Sequence, residues 1–127
     1  MMMVDLTRKP ANEDAVLRIY NNELRLNKRA AALLKLDAEH AKVRFTYDRD
    51  ERDRGRGMRV YVSKERNDSP RGYMTLSRNK SVRIYSTSLC NALSEALDGR
   101  GAYRICPEVS MSVEGVIYYE VFFRKYE

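Results

Sequence analysis

Apolar and polar positions alternate along most of this chain, and twice the alternation gives way to helical spacing. Leu24-Arg25-Leu26 sets one arginine between two apolar residues, and Val82-Arg83-Ile84 repeats the arrangement 58 residues later (83 minus 25). Neighbouring side chains of a strand point to opposite faces, so each arginine should face outward while its neighbours turn inward. Each triplet runs into a helical pattern, over 28–36 in the first instance and 86–97 in the second, and alternating strands follow each. The spacing predicts an α+β, β-rich chain built from two β-α-β-β copies, about 15–66 and 73–127, in a single domain. Residues 1–14 carry Pro10 and Asn12 with little periodicity and read as a flexible N-terminal arm.

Local chemistry supports these elements. The stretch 16–20 reads as a strand, and Asn21-Asn22 as a turn, because asparagine tolerates left-handed backbone angles. Asn27 is placed to cap the first helix, whose stripe of Ala30, Leu33, Leu34 and Leu36 has the spacing of a buried face. Strands are predicted at 42–47, with Val43, Phe45 and Tyr47 on one side, and at 58–62. Between them lies 48–57, which holds four arginines against four acids. It reads as a solvated hairpin extension in which only Arg54 and Arg56, beside glycines, are placed to reach a phosphate. Asn67, Asp68, Ser69, Pro70 and Gly72 break the pattern between the halves. The second helix should bury Leu89, Ala92, Leu93, Ala96 and Leu97, start at a cap in Ser86-Thr87-Ser88, and stop at Gly99. Strands at 103–106 and 116–123 close the chain, joined through 107–115. The last is apolar on both faces and should lie inside the sheet.

Composition narrows the classes. The 127 residues are enough for one compact domain, and no apolar run is long enough to span a membrane. No secretory signal is visible, since charged residues follow the first methionines at once. Cys90 and Cys106 make neither a disulfide framework nor a metal-ligand spacing, so a reduced, cytoplasmic protein without metal is expected. Net charge is +6, and its location matters more than its size. Seven basic and three acidic residues lie between Arg18 and Arg44, and six basic against two acidic between Lys64 and Tyr85. Those two windows contain the entries into the two copies, and such basic stretches favour a polyanion.

Catalytic chemistry is not visible. His40 is the only histidine and stands beside Glu39 without a second ligand or a nucleophile in reach. No glycine-rich loop joins a strand to a helix, Cys90 reads as a small hydrophobe on a buried helix face, and the serines before the second helix read as caps. The expectation is a non-enzymatic protein with no cofactor and no small-molecule substrate.

Arg78-Asn79-Lys80-Ser81-Val82-Arg83-Ile84, followed by a leucine- and alanine-rich helix and an alternating strand pair, resembles the AbrB/MazE-like swapped-hairpin DNA-binding family of transition-state regulators and antitoxins. Leu24-Arg25-Leu26 with Asn21 matches the same motif in the first copy. Tyr85 and Asn27 stand where the family usually has proline, and Glu23 stands where the second copy has Ser81. The resemblance implies a pseudo-twofold, swapped-hairpin, barrel-like sheet formed by one chain and double-stranded DNA as the partner. Arg25 and Arg83 would point at the groove, with Arg78, Lys80, Lys28 and Arg29 on phosphates or base edges. The function it implies is transcription regulation or an antitoxin-like role. A second reading is a structural or protein-interaction protein of a phage or mobile element, self-associating through β-surfaces that carry Tyr61, Tyr73, Tyr118 and Tyr119. A third is single-stranded nucleic acid stacked on Tyr20, Tyr85 and Tyr103.

Overall fold

The computed structural model describes residues 13–36, 41–53, 57–78 and 81–126, with backbone alone at 49–53, 57–58 and 77–78. The first strands are β1 (Val16–Ile19) and β2 (Glu23–Leu26), joined in an antiparallel hairpin, and α1 (Lys28–Leu33) follows. A second hairpin, β3 (Lys42–Asp53) and β4 (Gly57–Glu65), completes the first half of the chain. The second half runs β5 (Tyr73–Met74), β6 (Leu76–Arg78), β7 (Ser81–Tyr85), α2 (Thr87–Ala96), β8 (Gly101–Val113) and β9 (Val116–Val121). A hairpin therefore precedes each helix, one strand more than a β-α-β-β unit contains. Among the described residues, no helix is long and apolar enough to cross a membrane.

All strands pair antiparallel in one sheet of order β5-β3-β4-β9-β8-β1-β2-β7-β6. The two edge strands, β5 and β6, are separated only by Thr75, so the sheet curls round until its edges meet in one run of chain and forms a nearly closed barrel. Thr75 is buried, and its amide and hydroxyl both donate to the Ala41 carbonyl, each at 2.8 Å, while the Ala41 amide donates back to the hydroxyl at 3.2 Å. Closure leaves few unpaired strand edges, which removes the usual template for adding a further strand.

The alternation read from sequence sets what fills the barrel. Leu17, Ile19, Leu24, Leu26, Val82 and Ile84 turn inward, and they share one cluster with Val43, Val60, Val62, Tyr103, Ile105 and Val121 from the other strands. Ala30 and Leu34 of the first helical segment and Leu89, Cys90 and Leu93 of α2 join the same cluster, so both helices pack against a common interior. Ala92 is exposed; the buried stripe of α2 runs through Cys90 instead.

Three boundaries differ from expectation. Asn27 caps α1 as predicted, its Oδ1 accepting from the Ala30 amide at 2.9 Å, but the helix stops at Leu33 rather than 36. Lys35 takes a left-handed backbone (φ 56), and the amides of Lys35 and Leu36 fold back onto the carbonyls of Ala32 and Ala31, which ends the helix. The charged stretch 48–57 is largely strand, because β3 and β4 continue toward their tip through a register shift between Asp48 and Arg52; Arg54 and Arg56 lie outside the described residues. β8 runs through Pro107 as far as Val113, where the link 107–115 was expected. The turn is Glu114-Gly115, both left-handed (φ 52 and 80), the geometry that matches strand twist in a two-residue hairpin. Asn21-Asn22 turns β1 into β2 without left-handed angles, and the Asn22 carbonyl accepts from the Ser86 amide at 3.2 Å. β9 lies between β4 and β8, inside the sheet as its composition predicts.

Candidate nucleic-acid interface

Hairpin register decides which side chains share the outer face of β1, β2 and β7. Leu17 opposite Leu26 and Ile19 opposite Leu24 are inward pairs, so Arg18 lies opposite Arg25 on the outside. β2 then pairs with β7 in a register that sets Arg25 opposite Arg83, and β6 continues the row with Leu76 opposite Arg83. The result is a rung across four strands, Leu76, Arg83, Arg25 and Arg18. On the far side of Arg18 it meets Ala102 of β8.

Two of the three guanidiniums in the rung, those of Arg25 and Arg83, face one carboxylate. Glu23 Oε1 accepts from Arg25 Nη2 at 2.9 Å, while Arg83 Nη1 stands 3.9 Å from Glu23 Oε2. The hydrogen bond from Arg25 holds the Glu23 carboxyl below the ordinary carboxylate range, against the opposing effect of its burial. Like charges directly opposite on neighbouring strands are destabilising, by the same order as the ~0.2–1 kcal/mol that opposite charges gain. Glu23 offsets this for the central pair, whereas Arg18 is exposed and makes no ion pair with a described residue. The Nε atoms of Arg25 and Arg83 and Oε2 of Glu23 are buried without a hydrogen-bond partner among the described residues. The next arginine along the outer face, Arg104, is buried against Glu108 in a bidentate pair at 2.6 and 3.0 Å.

Two exposed tyrosines flank the rung. The Tyr20 amide donates to the Glu23 carbonyl, and Tyr85 is the cross-strand partner of Glu23, so the two rings bracket that carboxylate. The Arg25 guanidinium lies over the Tyr20 ring, 4.7 Å from its centre. Between Arg18 and Arg25 a pocket of about 180 Å³ opens, walled by Tyr20, Asn27 and Ser81. The Asn27 amide group makes three hydrogen bonds: besides capping α1 it accepts from the Val16 amide at 3.0 Å and donates to the Asp14 carbonyl at 2.7 Å.

Of the six residues singled out from sequence, Arg25 and Arg83 come together as cross-strand partners. Lys28 and Arg29 are exposed in the first turn of α1, one residue beyond the Asn27 cap. Arg78 pairs through its backbone with Ser81 and its side chain is outside the description, as is Lys80 altogether. His40 also lies outside the described residues. Sequence reasoning missed Arg18, although its signal was present: Leu17-Arg18-Ile19 repeats the apolar-arginine-apolar triplet, and a turn at Asn21-Asn22 sets it opposite Arg25. Tyr103 is not available for stacking. It is fully buried, donates to the Gly99 carbonyl at 2.7 Å and accepts from the Asp98 amide at 2.8 Å.

Comparison with protein-family models, curated proteins and solved structures found no match for this chain.

Proposed function

We propose that this chain is a non-enzymatic double-stranded DNA-binding protein, a transcription regulator or antitoxin-like factor, and that its halves are two copies of an AbrB/MazE-like swapped-hairpin unit joined in tandem. The observation that carries the DNA reading is the rung itself. A sheet that gains nothing from adjacent like charges nevertheless lines up Arg18, Arg25 and Arg83, which suits a polyanion laid across β1, β2 and β7. Arginine's planar fork can pair with a guanine edge, and the neighbouring exposed Lys28 and Arg29 add charge for phosphates.

Register supports the tandem reading. β2 and β7 pair so that Leu24 opposite Ile84 and Leu26 opposite Val82 are mirror partners about Arg25 and Arg83. The equivalent hairpin strands β4 and β9 also pair with each other. Val16 pairs with Arg104 while Met74 pairs with Lys42, so the offset between halves is 58 before the helix (74 minus 16) and 62 after it (104 minus 42). The difference of four is the extra length of α2, ten residues against six.

The test replaces Arg25 and Arg83 by alanine together and measures affinity for a mixed-sequence duplex by fluorescence anisotropy in low salt. Loss of two base-edge contacts should weaken binding by roughly thirtyfold or more, since each is worth ~1–3 kcal/mol. Unchanged affinity removes the assignment.

One observation favours the second reading, a self-associating interaction protein. Beyond Cys106 the β8 strand of the β8–β9 hairpin is exposed, and Val109, Met111 and Val113 lie on one of its faces with 38%, 40% and 49% of their surfaces in water. Tyr61, however, is buried and offers no docking surface. Light scattering with and without a duplex separates the readings. Association in the absence of DNA belongs to the second.

A further inference from the structure

We infer, resting on the DNA reading above, that the arginine face is a one-way reader: a single chain binds one non-palindromic site in a single orientation. The backbone of the face is pseudo-twofold, but the side chains on it are not. At the 58-residue offset Arg18 of β1 corresponds to Leu76 of β6, and Glu23 of β2 to Ser81 of β7. The rung therefore reads Leu76, Arg83, Arg25, Arg18 and has a charged end and an apolar end. Leu76 is 44% exposed, so its side chain is presented to whatever lies on the face.

The central pair is unequal too. Arg25 is gripped from two sides, by Glu23 Oε1 at 2.9 Å and by the Tyr20 ring at 4.7 Å. Arg83 Nη1 lies 3.9 Å from the same carboxylate, and the guanidinium makes no hydrogen bond to a described residue. Glu23 thus holds the Arg25 guanidinium by a hydrogen bond and the Arg83 guanidinium only by a longer ion pair.

Each end selects a different base. A guanidinium at the Arg18 end pairs with the O6 and N7 acceptors of guanine, and an exposed aliphatic side chain at the Leu76 end packs on the methyl group of thymine. Four strands at their usual spacing span roughly 14 Å, enough to reach about four base pairs of a major groove. Operator symmetry mirrors protein symmetry when two identical half-reading surfaces meet. Here the surfaces differ, so the preferred sequence has guanine at one end of its core and thymine at the other.

Selection of bound duplexes from a randomised pool, followed by stoichiometry and affinity on the recovered site, tests this. A non-palindromic core bound by one chain supports the inference. Leu76→Arg should then convert the thymine end to guanine and make the site more nearly an inverted repeat. Arg18→Leu should lower discrimination at the guanine end alone, by about 5- to 150-fold. Both positions are exposed, and Arg18→Leu by itself decides the matter should Leu76→Arg fail to fold. A palindromic core, two chains per site, or binding without sequence preference overturns the one-way reader while leaving DNA binding in place, provided Arg25→Ala/Arg83→Ala still weakens it. Absence of any duplex binding by the natural chain removes the DNA reading and this inference with it.

Discussion

Glu23 is the residue on which the face turns. A carboxylate between two arginines would be a poor feature of a plain phosphate-binding patch, where it subtracts charge. As a positioning group it makes sense, because its bond to Arg25 fixes the direction of that fork before any ligand arrives. Other ionisable residues serve the interior. Burial pushes the Cys106 thiol up to about 11 and the Tyr103 hydroxyl up to about 12. Both groups hold their protons more tightly folded than unfolded, where a thiol titrates near ~8.5 and a tyrosine near ~10. The stability they contribute is complete below ~8.5 and is lost as pH rises toward those folded values. Urea denaturation between pH 7 and 11 should therefore show stability falling from about pH 8.5 upward, and Cys106→Ala should flatten the earlier part of the fall. A stability that stays level to pH 11 would contradict the burial of both groups.

At the scale of elements, the two helices end by different means. The turn after α2 uses Gly99, left-handed at φ 80, as its sequence suggests. The turn after α1 uses Lys35 at φ 56, and no side-chain signal announces a stop there. A residue with a Cβ pays roughly 1–2 kcal/mol in that region, and glycine's extra freedom in the unfolded chain takes back part of the gain. Lys35→Gly should raise unfolding stability by about 0.5–1 kcal/mol in urea denaturation. The Lys35 carbonyl that accepts from Lys64 Nζ at 3.0 Å is retained in that variant. A variant less stable than the natural chain would mean that the exposed lysine side chain makes a stabilising contact. The early helix end also explains why the expected 28–36 was too long: apolar spacing continued through Leu34 and Leu36, which remain packed on the core from a turn as well as they would from a helix.

At the scale of the whole molecule, closure rests on a small number of atoms. The sheet's two edges meet at Thr75, whose hydroxyl both donates to and accepts from the backbone of Ala41. Thr75→Val keeps shape and removes the hydroxyl, leaving the Ala41 amide buried without its partner. The expected cost is about 1–3 kcal/mol by urea denaturation, with Thr75→Ser losing less. Equal stability of Thr75→Val and the natural chain would show that the edges are held by strand pairing alone.

Alternation of apolar residues and local side-chain chemistry determined, without any structure, the strands around Arg25 and Arg83, the outward aim of both arginines, a cap at Asn27 and another within Ser86-Thr87-Ser88, and a β-rich chain with two helices. These are local properties, written in neighbours a few positions apart. Which strands pair, and in what register, is a property of residues far apart in the chain. No local signal states that Arg25 lies opposite Arg83, that Glu23 serves both, or that β5 and β6 meet at Thr75. Only the packing of one common core, which must turn the apolar sides of every strand inward at once, selects that register. The arginine rung is the outer consequence of that inner constraint.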